Sequence, residues 1–273
     1  MQNDHNNGSN REVGAVIMAA GQGKRMKDPS RAKVMYELNN RPMIHYVVDL
    51  ALELGATNPV VIVGHQRQIV TDYLAKSHPA VTCAVQDPQL GTGHAVLQSE
   101  KALDGFQGDV LVLSGDVPLL TKRTMDNLVR HHFETGAVAT ILTSKMKDPA
   151  GYGRIVRNPD GSVKKIVEHR DASEEERKIV EINSGIYVFD KEKLFDGLHH
   201  ITPNNAHLHH ITPNNAQNEY YLTDVFEYFW RHQWTVSALV ADHEDEIRGI
   251  NTYEQLEQAR GILNTGLAAA SLP

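Results

Sequence analysis

The 273-residue chain carries 27 Lys+Arg against 34 Asp+Glu, a formal net charge of −7. That balance argues against a general nucleic-acid binder, which needs a basic face, but leaves room for a phosphorylated ligand held by a few local cations or a metal. Apolar residues at 41% and charged residues at 22% exclude collagen, coiled coil and wholesale disorder. The single cysteine, Cys83, excludes an internal disulfide and a Cys-rich metal site. No apolar run approaches the roughly 18 residues of a membrane span. Residues 1–11 are polar and lack an apolar signal core, so they read as a tail, as do residues 264–273. A cytoplasmic protein with no membrane or nucleic-acid partner is expected.

In chain order, Val13–Met18 is a β-favouring run ending in a Gly-rich turn. Residues 43–54 carry Ile44, Val47, Val48 and Ala51 on one helical face, with Gly55 as the stop. Val60–Val63 predicts a buried strand, residues 66–75 a helix, and residues 81–85 a strand in which Cys83 is buried. A helix is expected over residues 93–103 and a strand over Val110–Leu113. A helix capped by Thr121 and a strand over Val138–Thr143 follow. Buried strands alternating with helices predict an α/β fold of Rossmann-like type: a mostly parallel sheet with helices on both faces. Ligands of such sheets sit beyond the carboxyl ends of the strands, so Gly21–Arg25 and Gly115-Asp116 are expected at one rim.

From about residue 145 turn signals multiply. Arg154–Arg157 and Val163–Val167 predict a hairpin around Asn158-Pro159-Asp160-Gly161. The organisation expected is one domain over residues 12–263: a nucleotide-binding part at 12–144, a smaller β-rich substrate lobe at 145–234, and a return to the sheet at 235–263. Within the lobe, residues 198–207 are repeated directly as 208–217, identical except that His207 becomes Gln217. The duplication gathers His199, His200, His207, His209 and His210. Without a carboxylate or cysteine at ligand spacing among them, they read as an exposed loop, not a metal site. The second copy runs on into Asn218–Asp224 and is expected to hold the native place. The first is expected to be extruded or to extend the helix over residues 191–198.

Three constellations carry chemistry. Ala19-Ala20-Gly21-Gln22-Gly23-Lys24-Arg25, with Lys33 downstream, joins glycines that bare backbone N–H groups to cations suited to a triphosphate. It is neither the dinucleotide fingerprint, since position 26 is Met, nor a P-loop. Gln86–Ala95 offers side chains that both donate and accept, as a base edge needs, and a Gly91-Thr92-Gly93 turn. Ser114-Gly115-Asp116-Val117-Pro118 puts a carboxylate at a strand end, where it either holds Mg²⁺ against phosphates or caps a helix.

In this order the three resemble the sugar-phosphate nucleotidyltransferases. Gly151–Ile155, Ile166–Ala172, Glu181–Tyr187, Asn214–Asp224 and Gly249-Ile250-Asn251 narrow the resemblance to the uridyltransferase domain of the N-acetylglucosamine-1-phosphate uridyltransferases, over roughly residues 12–262. The resemblance implies transfer of uridylyl from UTP to N-acetylglucosamine 1-phosphate with release of pyrophosphate. It implies that Ala19, Ala20, Gly21, Gly23, Gln86, Gly91 and Thr92 bind the nucleotide and that Arg25 and Lys33 act on its phosphates. Asp116 and Asn251 would hold Mg²⁺, and Gly153, Glu168, Asn183, Tyr221 and Thr223 would contact the sugar. Lys24, Ala32 and Ser114 depart from the usual Thr or Ser, Pro and aromatic residue of that family. Its C-terminal acetyltransferase β-helix, through which trimers form, has no counterpart in this sequence, which leaves the oligomeric state open. The alternatives are a nucleotidyltransferase for another sugar 1-phosphate or nucleotide, and a non-catalytic nucleotide-sugar sensor on the same fold.

Overall fold

A computed structural model describes residues 12–26, 28, 30–201, 215 and 219–265. The chain builds β1 (Glu12–Ala19), β2 (Glu37–Leu38), β3 (Arg41–Pro42), α1 (Met43–Glu53), β4 (Thr57–Val63), α2 (Arg67–Ser77), β5 (Thr82–Val85), α3 (Thr92–Leu97), β6 (Gly108–Ser114), α4 (Lys122–Thr135) and β7 (Ala139–Lys145). It continues with β8 (Arg154–Arg157), β9 (Val163–Val167), α5 (Glu174–Arg177), β10 (Glu181–Asp190), α6 (Lys191–Ile201), α7 (Val225–Arg231), β11 (Val236–Val240) and α8 (Tyr253–Asn264). The main sheet runs β11-β7-β10-β6-β1-β4-β5, with the β8–β9 hairpin attached through β10.

Burial of both sheet faces follows from strands that are apolar at successive positions. Ala15, Ile17 and Ala19 of β1, with Val61 and Val63 of β4, pack under α1, α2 and α4 through Val47, Val48, Leu74 and Leu128. The intervening Val16, Val60 and Ile62 face α3, α6 and α7 through Val96, Leu198, Phe226 and Phe229. The alternation is the period-2 geometry of a strand acting on a run with no polar face. A third cluster of Met26, Tyr36, Leu38, Met43, Leu119, Ile250, Leu256 and Ala259 ties α8 back to the β2–β3 hairpin.

The mostly parallel α/β sheet with helices on both faces is the expected fold, and the predicted 154–157 and 163–167 hairpin is present. Three details differ. β10 pairs antiparallel to both β6 and β7, and its sequence hides it. Asn183-Ser184-Gly185 interrupts the β-favouring residues, with a register shift between Asn183 and Tyr187 and Gly185 at φ +80°, as in a bulge. The helix expected over 93–103 stops at Leu97. The buried Ser99 hydroxyl donates to Val96 O at 2.6 Å, a local bond that competes with the helical ladder, and one 3-10 turn follows at Glu100–Leu103. Cys83 is half-buried, not buried, because β5 is the edge strand. Of the duplicated segment, Leu198–Ile201 extend α6. Asn215 Oδ1 accepts from Glu219 N at 3.1 Å. Residues 202–214 and 216–218, with His207, His209 and His210, lie outside the described residues. Among the described residues no helix is long and apolar enough to cross a membrane.

Candidate active site

Strands β1 and β6 are parallel neighbours in a register that sets Met18 beside Ser114, so the chain leaves both at one rim, where Gly115 N donates to Met18 O at 2.9 Å. Gly21–Arg25 and Gly115-Asp116 meet there as the carboxyl-end rule requires. Asp116 does not cap a helix. α4 begins six residues later under Thr121, whose hydroxyl accepts from Thr124 N. The returning segment closes a third side, with Ile250 N donating to Asp116 O at 2.9 Å.

Asn251 is held by the start of α8. Thr252 and Gln255 form a capping box, and Gln255 Oε1 accepts from both Asn251 N, at 2.7 Å, and Thr252 N, at 3.1 Å. Asn251 Nδ2 donates to Gly249 O at 3.1 Å, which leaves Oδ1 facing the cations. Lys33 Nζ donates to it at 2.9 Å and Arg25 Nη2 at 2.8 Å. The same Lys33 ammonium pairs with Asp116 Oδ2. A carboxylate oxygen and an amide oxygen therefore converge on one cationic point. Such hard oxygen donors, few in number, suit Mg²⁺, which keeps several waters and binds substrate phosphates as well. Gly23 makes the approach possible: at φ +61°, a Cβ there would stand 2.8 Å from Lys33 Cβ.

These groups line a cleft of about 540 Å³ together with Ala19, Ala20, Gly21, Gly23, Gln86, Gly91 and Thr92. Every residue expected to bind nucleotide, phosphate or metal is on its wall. One expectation needs correction. Gln86 does not present its whole amide to a ligand, because its Nε2 donates to Gly91 O at 2.9 Å and faces His94 Nδ1 at 3.2 Å. It fixes the 91–94 turn, and Oε1 is the group it can offer. Burial lowers the pKa of His94, which favours the neutral ring beside that amide.

The residues expected to contact sugar gather in a second group. Asn183 N donates to Gly153 O at 2.9 Å, and Thr223 Oγ1 donates to Glu168 Oε1 at 3.2 Å. A Cβ on Gly153 would stand 3.5 Å from both Asn183 Cβ and Glu168 Oε1. The Thr223 hydroxyl is thus spent on Glu168 and caps no helix. Tyr221 is buried just before it. Segment 219–223 laces this group to the Leu90–Gly93 wall of the cleft: Tyr220 N donates to Leu90 O and Gly93 N to Tyr220 O, both at 2.8 Å, and Leu222 N donates to Thr92 Oγ1 at 3.0 Å.

Sequence reasoning missed three residues of the region. Gln89 and Glu219 line the cleft, and Gln89 Nε2 donates to Ala20 O. Both stood inside recognised motifs without a role. Tyr152 was also passed over. Burial first, and then the charge of Asp116, raise its phenol, while Arg248 and Arg25 oppose.

Burial raises the Glu168 carboxyl, partly offset by the Thr223 hydroxyl. Loss of hydration, then the charges of Glu168 and Glu227, push Asp224 from its ordinary 3.8 up to about 6. A folded pKa above the unfolded one means that the native state binds more protons between these values. Stability therefore falls as pH rises through about 4 to 6. Replacing Asp224 with Asn removes this contribution. Melting curves from pH 4 to 8 should show the variant gaining on the wild type as pH rises to about 6 and holding that gain above it. A gain that grows in the opposite direction would contradict the assignment.

Residues 14–248 match the nucleotidyl transferase family. The chain belongs to that family. It is 45% identical over 249 residues to the bifunctional protein GlmU of Halalkalibacterium halodurans, covering 91% of this chain and 52% of that protein. It is 46% identical over 245 residues to the bifunctional protein GlmU of Exiguobacterium sibiricum, covering 90% and 51%. The chain thus spans about half the length of these relatives. Its fold is similar to that of a UDP-glucose pyrophosphorylase solved with UDP-glucose, at a TM-score of 0.72 and 18% identity over 93% of this chain and 99% of that one. A Bacillus anthracis protein assigned as a glucose-1-phosphate thymidylyltransferase superposes with a TM-score of 0.69 and 19% identity, over 92% and 94%. The fold shared with these two structures is the sheet described above, and in this chain the cleft of Asp116 and Lys33 lies at its carboxyl-end rim.

Proposed function

We propose that this chain is a uridylyltransferase that joins UTP and N-acetylglucosamine 1-phosphate to give UDP-N-acetylglucosamine and pyrophosphate, as a cytoplasmic enzyme dependent on Mg²⁺. The observation that carries the reading is the convergence of Lys33, Arg25, Asp116 and Asn251 on one point of a glycine-walled cleft. The identity to the two GlmU proteins supports the choice of nucleotide and sugar.

A phosphate oxygen of the sugar 1-phosphate attacks the α-phosphorus of UTP in line. The bond from that phosphorus to the bridging oxygen breaks, and pyrophosphate leaves with the electron pair. No protein nucleophile takes part, so catalysis consists of positioning and charge neutralisation. Asp116 and Asn251 would hold Mg²⁺, which when bound neutralises triphosphate charge and polarises the phosphoryl oxygens. Lys33 and Arg25 bind the phosphates, while the Gly21–Gly23 backbone lies against the chain of phosphates. Gln86 Oε1 and the Gly91-Thr92 turn take the uracil edge. Gly153, Glu168, Asn183, Tyr221 and Thr223 enclose the sugar.

A site that reads a base edge by hydrogen bonds discriminates strongly, because the wrong base leaves buried polar groups unpaired. UTP should therefore exceed CTP and GTP by about a hundredfold or more in kcat/KM with N-acetylglucosamine 1-phosphate. Comparable values for all three would leave the family in place and overturn the uridylyl reading.

A further inference from the structure

Outside the cleft, one group of side chains is arranged as metal ligands usually are. His45 and Asp49 lie one turn apart on α1, and His78 follows the end of α2. Among the described residues they form a set of His, Cys, Asp or Glu ligand atoms all within 4.8 Å of one another. Asp49 Oδ2 stands 3.2 Å from His45 Nε2, and its Oδ1 stands 2.9 Å from His78 Nε2. Ligand atoms of a tetrahedral zinc site lie about 3.3 Å apart, given metal–nitrogen bonds of about 2.0–2.1 Å. Small side-chain movements would therefore suffice to seat an ion.

The far sides of both rings carry the second part of the argument. His45 Nδ1 is 2.9 Å from the Tyr73 hydroxyl, and His78 Nδ1 is 2.8 Å from the Ser77 hydroxyl. Ligating histidines usually have the other ring nitrogen held by an oxygen, which fixes the tautomer and aims Nε2 at the metal. Here both rings are held that way, and both Nε2 atoms point at one carboxylate. Arg41 is the opposing charge, 3.4 Å from His45 Nε2 and 4.0 Å from Asp49. Its side chain is 60% exposed and can swing into solvent.

We propose that His45, Asp49 and His78 form a binding site for a borderline divalent transition-metal ion, Zn²⁺ by its two-imidazole, one-carboxylate donor set, which clamps α1 to the end of α2. The competing arrangement is a carboxylate that merely accepts two imidazole N–H bonds, and the experiment separates the two. EDTA-treated protein in excess Mg²⁺, which guards the oxygen-only site at Asp116, is titrated with Zn²⁺ by calorimetry and melted with and without it. The probe is also run on H45Q, on D49N, and on a variant with all five histidines of the duplicated segment replaced by Gln. Expected are one tight equivalent and a raised Tm in the wild type. The same equivalent persists in the five-histidine variant, and affinity falls at least tenfold in H45Q and D49N. H45Q, at a partly exposed helix position, keeps the test decisive if D49N folds poorly. Wild-type Zn²⁺ affinity in H45Q, or no tight equivalent in the wild type, overturns the proposal.

Discussion

Replacing Asp116 with Asn should lower kcat by about a thousandfold, on the order of 4 kcal/mol of transition-state stabilisation, while leaving the fold intact. The side chain keeps its shape and loses the charge that faces Lys33. The contact that holds the returning segment, Ile250 N to Asp116 O, is made by backbone and survives. Without the carboxylate, the amide of Asn251 and the two cations remain, and the site proposed for Mg²⁺ is left with a neutral oxygen donor. The effect therefore falls on rate and on the dependence on Mg²⁺, not on stability. Pyrophosphate release and a melting curve on the same preparation separate these. A variant within tenfold of wild type at saturating Mg²⁺ would remove Asp116 from the metal site.

The second large effect is expected at Gly91. Its backbone lies at φ +114°, ψ 176°, a region open essentially to glycine alone and costing other residues about 1–3 kcal/mol. A Cβ there would also stand 2.5 Å from Tyr220 O and 2.7 Å from Tyr220 N, two backbone atoms that can yield only by moving the 219–223 segment. That movement strains the bonds from Gly93 and Tyr220 that join the two sides of the cleft, each contributing about 0.5–1.5 kcal/mol. Gly91→Ala should thus lose about 3–5 kcal/mol, a fall in Tm on the order of 10 °C for a chain of this size, and raise KM for both substrates. Gly21→Ala is the control for stability, since nothing lies within 4 Å of its Cβ position. Equal Tm values for the two variants would show that the turn is not the joint between the halves.

The parts of this architecture that depend on local sequence were legible. Apolar runs without a polar face implied strands buried on both sides. The end of each run then placed Gly21–Arg25 and Gly115-Asp116 at the same rim before any coordinates. What escaped depends on contacts across the fold. β10 is broken by its own bulge, so no continuous β signal marks it. Gln86 looked like a free amide, and only the return of the chain at Gly91 shows its N–H engaged. His45 and Asp49 share a helix face by spacing, but nothing in the sequence brings His78 to them. That depends on how α2 packs beside α1. The residues expected to contact sugar were collected by resemblance, since Gly153 precedes β8, Glu168 follows β9, Asn183 lies within β10 and Thr223 comes just before α7.

The most direct test of the central claim is to incubate the protein with α-³²P-labelled UTP, N-acetylglucosamine 1-phosphate and Mg²⁺ and to identify the products. The account predicts UDP-N-acetylglucosamine and pyrophosphate in equal amounts, with formation abolished by EDTA. Label that stays in UTP, or appears as UMP instead of in a nucleotide sugar, would contradict it.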